Sequence, residues 1–234
     1  MNAIITGASQ GIGKAIAEKL ASEGFNLALC ARSKDKLEHL KLELTNRYKG
    51  INVYTQCLDV TSIEAVKDFA KNCTLQFEDG IDVLVNNAGT FIPGSIHTEE
   101  EGNLEKMIET NLYSAYHLTR ALCPQFIQQK KGHIFNMCSI ASIMAYDNGG
   151  SYSISKFALL GFSKCLREEM KNHNVKVTQI MPGATKTPSW DGVDLPEDRF
   201  IPSHDIAELV WSAFNLAEST NLEEIVVRPQ LGDI

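Results

Sequence analysis

Short apolar runs alternate with helical stretches along the whole chain, and this alternation is the feature that most limits its fold. Strand-like segments are expected at 2–6, 26–31, 51–57, 81–86, 132–138, 175–181 and 223–228. Between them, helical patterns cover 11–23, 34–48, 62–78, 103–129, 151–172 and 204–217. The strands are mostly apolar on both faces, as in a parallel sheet covered by helices. Strict strand–helix alternation then predicts an α/β fold: one doubly wound, Rossmann-type domain with a seven-stranded parallel sheet and helices on both faces. Right-handed crossovers gather the strand C-terminal ends along one edge, where such sheets bind ligands. Gly7, Arg32, Asp59, Asn86, Ser139 and Pro182 all fall at or just after those ends.

No linker rich in Pro, Gly or Ser divides the 234 residues, so a single domain over 1–234 is expected. The 44% hydrophobic content is enough for a sizeable core. No apolar stretch approaches the ~18 residues that a membrane span needs. The N-terminus reads as a strand without a basic region or cleavage site, so no secretory leader is expected. A net charge of −7 disfavours nucleic acid as a partner. The six cysteines are scattered with no C-x-x-C pair, which suits free thiols in the cytoplasm and suggests no metal.

The first strand runs into Gly7-Ala8-Ser9-Gln10-Gly11-Ile12-Gly13 and then a helix. Strand, glycine turn and helix together present a helix N-terminus to phosphate. Gly7 permits the tight turn, Gly11 admits a pyrophosphate to the backbone, and Gly13 lets helix and strand pack closely. The spacing is G-x-x-x-G-x-G, one residue longer in the loop than G-x-G-x-x-G.

Downstream, Tyr152 and Lys156 stand four apart, and Ser139 lies thirteen residues before the tyrosine. On a helix, positions i and i+4 share a face. A phenol near its ordinary pKa of about 10 exchanges protons poorly at neutral pH. A neighbouring ammonium is expected to pull it down. A serine hydroxyl beside the phenol can hold a substrate oxygen.

With these motifs in this order, the chain resembles the short-chain dehydrogenase/reductase family. The likeness covers nearly the whole length. It is carried by Thr6 through Gly13, Asp59-Val60, Asn86-Asn87-Ala88-Gly89, Asn111, Ser139, Tyr152 with Lys156, and Pro182-Gly183 followed by Thr187. It implies that Tyr152 is the acid in carbonyl reduction and the base in alcohol oxidation. Lys156 would also bind the nicotinamide ribose, Ser139 would orient the carbonyl, and Asn111 would hold a water on the proton relay. The cofactor would be held by Gly7, Ser9, Gln10, Gly11, Ile12 and Gly13, with Asp59 and Val60 near the adenine. Asn87, Ala88 and Gly89 would line the adenine ribose side, in a role part structural and part contact. Pro182 and Gly183 turn the chain, and Thr185 and Thr187 would hold carboxamide and pyrophosphate.

NADP(H) is the expected cofactor. An NAD enzyme usually ends the second strand with a carboxylate for the 2′-hydroxyl. Ala31 stands there, followed by Arg32, whose planar fork suits a phosphate, and by Ser33.

Substrate choice lies in loops. A lid is expected at about 188–203. The stretch Pro182 to Trp190 and the C-terminus Glu223 to Ile234 are similar to bacterial sepiapterin reductases. That likeness implies a pterin ketone or a small diketone, with Trp190 and Tyr146 as slot walls and Asp191, Asp194 or Asp233 as a far carboxylate. Trp190 has a second reading, as an anchor for the lid, and the lid aspartates a second reading as solvated charges. The main alternative is a 3-oxoacyl-(acyl carrier protein) reductase. Against it, Lys130 and His173 stand where those enzymes typically carry arginine, and a D-G-G tail is absent. A catalytically silent NADP-binding regulator is disfavoured by the intact Ser139, Tyr152 and Lys156. The long apolar helices at 103–129 and 151–172 match those that family members pair across a two-fold axis, so a homodimer or homotetramer is expected.

Overall fold

The computed structural model describes residues 1–234. Its strands are β1 (Asn2–Thr6), β2 (Asn26–Ala31), β3 (Val53–Cys57), β4 (Val83–Asn86), β5 (His133–Met137), β6 (Lys176–Pro182) and β7 (Glu224–Val227). They form one seven-stranded sheet in the order β3-β2-β1-β4-β5-β6-β7, parallel throughout. The order reverses between β1 and β4, and the crevice at such a switch point is where doubly wound sheets take ligands.

The helices are α1 (Gly11–Ser22), α2 (Lys34–Arg47), α3 (Ile63–Gln76), α4 (Asn103–Ile108), α5 (Ser114–Gln129), α6 (Gly150–Met170) and α7 (Ser203–Phe214). Because side chains alternate across a strand, each strand feeds two cores. Ile5, Leu27 and Leu29 pack with Leu20, Leu37 and Val210 from α1, α2 and α7. Ile4, Ala28 and Cys30 face the opposite way, onto Phe69, Leu122, Phe126 and Leu166 from α3, α5 and α6. The inner strands β1, β2, β4, β5 and β6 are buried on both faces for this reason, whereas the edge strands β3 and β7 stay partly exposed.

One element departs from its sequence reading. The single helix expected over 103–129 contains a π-helical turn, Glu109–Tyr113, between α4 and α5. A wider turn leaves one residue more than α-helical bonding needs, and such turns recur at functional sites. Asn111 lies in this turn and is 1% exposed. It exchanges two bonds with Thr90, accepting from the backbone N–H at 2.7 Å and donating to the carbonyl at 3.0 Å. It also donates to Ser155 Oγ at 2.8 Å. The turn is therefore pinned at once to the loop after β4 and to α6.

The expected lid is a closed excursion. Ile201 N donates to the Ala184 carbonyl and Lys186 N to the Ile201 carbonyl, each at 2.8 Å, which ties its base together. Two short 3-10 turns, Pro188–Trp190 and Glu197–Arg199, shape its rim. No helix is long and apolar enough to cross a membrane.

Candidate active site

The glycine loop is shaped by steric need. Gly7 and Gly11 have φ of +65° and +56°, in the left-handed region that disfavours side chains. A Cβ on Gly13 would sit on the Gly7 carbonyl oxygen and 2.5 Å from Asn87 Nδ2. Asn87 holds this geometry, donating to the carbonyls of Thr6 at 2.9 Å and Gly7 at 3.2 Å. Thr6 Oγ1 accepts from the N–H groups of Asn87 and Ala88 at 3.0 and 2.9 Å. At the start of α1, Gln10 provides no side-chain cap. The first N–H groups of that helix are thus open to an anion, and the cradle fits a dinucleotide pyrophosphate. Thr187 closes its far side, with Cγ2 3.1 Å from where a Gly11 Cβ would lie.

The rest of the proposed cofactor set divides by role. Asn86 is buried and donates to Thr119 Oγ1 and Asn136 Oδ1 at 2.9 and 2.8 Å, a bond set internal to the sheet. Asp59 Oδ1 accepts from Thr61 N and Thr61 Oγ1 at 3.0 and 2.9 Å, turning the chain towards α3. Val60 packs its side chain onto the core beside α3. Thr185 is buried and donates to the Gly183 carbonyl at 3.0 Å. At the end of β2, Arg32 is exposed and pairs with no carboxylate. Ser33 begins α2 with its hydroxyl uncommitted to a cap. One turn on, Lys36 Nζ donates to Gln10 Oε1 at 2.7 Å. Lys36 escapes a motif reading; its only signal is a lysine one turn after Arg32.

The residues expected to handle the proton meet at the end of β5. Ser139 is fixed by a reciprocal cap: its Oγ accepts from Ala141 N at 3.1 Å, and Ser142 Oγ accepts from Ser139 N at 3.2 Å. Lys156 is 5% exposed and donates to the Met137 carbonyl at 2.8 Å. Its Nζ lies 5.8 Å from the Tyr152 ring centroid and 3.6 Å from where a Gly89 Cβ would be. Two loop contacts set the register of α6: Gly150 N donates to the Gly94 carbonyl at 3.1 Å, and Ser151 Oγ bonds Glu99.

The electrostatics differ from the sequence expectation. Burial pulls Lys156 down to about 8, against an opposing pull from the Cys138 thiol. Burial holds the Tyr152 phenol above its ordinary value, the Ser139 hydrogen bond pulls it back, and Cys138 adds a smaller upward push. The expected downward pull from Lys156 is not what dominates, because the lysine is itself desolvated and bonded to Met137.

Around Tyr152 the walls are aromatic. Phe91 meets it edge to face, with ring centroids 4.9 Å apart. Tyr146 is pushed up to about 12 by burial and by Tyr152. Phe91 has no sequence signature beyond standing two residues after Gly89. Trp190, expected as a slot wall or an anchor, packs edge to face on buried Phe200 at 5.2 Å, which is the anchor geometry. Asp191 and Asp194 are exposed, whereas Asp233 is paired with Arg228 at 2.7 Å.

Comparison with known proteins agrees with this geometry. The profile described as short chain dehydrogenase matches residues 1–197. The chain is 32% identical over 227 residues to an uncharacterized oxidoreductase of Staphylococcus saprophyticus, spanning 97% of this chain and 96% of that protein. Among solved structures, an alcohol dehydrogenase of Thermococcus sibiricus complexed with 5-hydroxy-NADP superposes with a TM-score of 0.90 at 31% identity, covering 98% of this chain and 96% of that one. The L-sorbose reductase of Gluconobacter frateurii, complexed with NADPH and L-sorbose, gives 0.88 at 29% identity, covering 97% and 95%. With seven parallel strands, the glycine cradle and Ser139, Tyr152 and Lys156 at one sheet edge, this chain belongs to the short-chain dehydrogenase/reductase family of oxidoreductases.

Proposed function

We propose that the protein is an NADP(H)-dependent reductase of small ketones, running in reverse as an alcohol dehydrogenase, with Tyr152 exchanging the proton. One observation carries this reading: buried Lys156 and capped Ser139 flank Tyr152 at the sheet edge that also holds the glycine cradle. Reduction needs a hydride at the carbonyl carbon, which bound NADPH supplies, and a proton at the oxygen, which Tyr152 supplies. Ser139 positions that oxygen. The raised phenol keeps Tyr152 protonated through neutral pH, the form that reduction uses. Lys156, which would bind the nicotinamide ribose, and Asn111 converge on Gly89 in the loop after β4.

The preference for NADP(H) rests on Arg32 without a partner, on Ala31 in place of a carboxylate, and on Lys36 beside Gln10. NADP-type cofactors bound to the two solved relatives support it. The aromatic wall that Phe91 sets against Tyr152 suits a small ketone. A pterin's guanidine-like edge calls for a free carboxylate; Arg228 engages Asp233, which leaves Asp191 and Asp194 of the lid as the carboxylates for that edge.

The test is NADPH oxidation with a small diketone, sepiapterin and an acetoacetyl thioester. Diketone turnover is expected, and Tyr152→Phe should lower kcat ~10²–10⁴-fold while NADPH still binds. Near-wild-type kcat in that variant, or turnover of the thioester alone, would overturn the reading.

A further inference from the structure

The C-terminal segment after β7 returns to the loop between Ser139 and Tyr152 and carries an arginine with donors open to solvent there. Val227 ends β7, and its carbonyl accepts from Gly183 N at 2.7 Å. Arg228 therefore leaves the sheet beside the turn that follows β6. Its guanidinium reaches the loop between Ser139 and Tyr152, where Nη2 lies 3.2 Å from Met144 Sδ. Its Nη1 donates to Asp233 Oδ2 at 2.7 Å. Asp233 is itself held against the same turn: a Cβ on Gly183 would lie 3.3 Å from its Oδ1. From the lid, Arg199 Nη2 approaches the Asp233 carbonyl at 3.4 Å.

This bonding leaves part of the fork to solvent. A guanidinium has five N–H donors, and a thioether sulfur is a weak acceptor. Apart from Asp233 and Met144, the group has no hydrogen-bond partner in the protein, and the side chain is 43% exposed. An ordinary surface ion pair would need only Asp233. Here the carboxylate fixes the fork's direction, and the second edge of the fork is laid on sulfur beside the catalytic loop. A planar carboxylate would replace that weak contact with charge-assisted bonds. A cationic ligand, in contrast, would have to displace Arg228 from Asp233.

We propose that Arg228 is a specificity residue that takes a carboxylate on the substrate, so that the ketones this protein reduces are oxo acids. The proposal rests on the ketone-reductase reading and names the substrate class for it. Asp233 positions the fork, Met144 occupies the acceptor place until substrate arrives, and Tyr152, with Phe91 edge-on to it, takes the ketone end.

The test is steady-state kinetics of the full chain with NADPH on 2-oxobutanoate, acetoacetate and 4-oxopentanoate, each beside its methyl ester. The three acids bracket the spacing between ketone and carboxylate. The wild type should prefer at least one acid over its ester in kcat/KM. Arg228→Leu should lower that acid-to-ester ratio ~10–100-fold, mainly through KM, the size expected for charge-assisted bonds. Arg228→Lys should keep part of the ratio, since it retains a charge without the fork. Turnover of esters or a diketone with no preference for any acid in the wild type overturns the proposal and leaves the ketone-reductase reading standing, whether or not the leucine variant folds. An acid preference that Arg228→Leu leaves unmoved also overturns it. If the wild type binds NADPH yet reduces no acid, ester or diketone, the ketone-reductase reading falls and this proposal with it.

Discussion

Tyr152 and Lys156 show how far a side chain's chemistry depends on its surroundings. Four residues on a helix bring them to one face, yet burial desolvates both, lowering the ammonium and raising the phenol. Alcohol oxidation needs the phenolate, so its rate should climb into the alkaline range, while ketone reduction stays level through neutral pH. A pH profile of both directions checks this, and an oxidation rate already level by pH 7 would contradict it. Arg32 is the other decisive single residue. The double change Ala31→Asp and Arg32→Ala removes a cation and places an anion where a 2′-phosphate would sit. It should move the kcat/KM preference from NADPH towards NADH by at least ~10-fold, a shift of about 1.4 kcal/mol. A wild type that already prefers NADH would refute the Arg32 argument.

At the scale of elements, the π-helical turn does what neither of its flanking helices could. It turns Asn111 inward to meet Thr90 on one side and Ser155 on the other. Replacing Asn111 with Leu takes the side-chain partner from the half-buried Thr90 N–H and carbonyl, at a cost of up to about 1–3 kcal/mol for each group kept from water. The expected result is a lower Tm together with faster amide exchange across α4 and the start of α5. Unchanged exchange there would show that the turn is held by packing alone. The glycine loop has a comparable dependence. It is held by Asn87 and Thr6, so its shape belongs to two strands and not to the loop itself.

For the whole molecule, two features bear on stability and assembly. His133 lies in β5, 1% exposed, stacked on Phe135 with centroids 3.9 Å apart and 2.7 Å from Thr178 Oγ1. Burial, helped by Lys176, holds its imidazole down at about 3. The unfolded chain then binds a proton that the folded one refuses. The contribution is complete above the unfolded value of about 6.5 and is lost as pH falls towards about 3. Urea midpoints should fall between pH 7 and 4.5 by more in the wild type than in His133→Gln, and equal falls would refute this. Assembly is argued from Tyr113, Tyr116, Ile154 and Phe157, large apolar side chains exposed on the α5 and α6 side of the molecule. A homodimer or homotetramer is expected in solution scattering, with Phe157→Glu shifting it towards single chains. A single-chain mass at every concentration would refute the pairing.

What the sequence determined by itself was everything carried by a short period or by the chemistry of one residue. Alternating apolar runs specify a parallel sheet with two cores. Positive φ selects glycine at Gly7 and Gly11, and spacing places Tyr152 over Lys156. The elements lie within a few residues of their expected limits, and Ser139, Tyr152, Lys156 and the glycine cradle do share one edge. What only the tertiary structure decided are contacts between distant stretches of chain. The π turn exists because Asn111 reaches Thr90 and Ser155. Asn86 serves the sheet and Asn87 the loop because of which strands stand beside them. Trp190 packs edge to face on Phe200 because the chain returns beneath it. None of these leaves a local pattern in sequence, since hydrogen bonding and burial at each position depend on a partner that only the folded chain brings near.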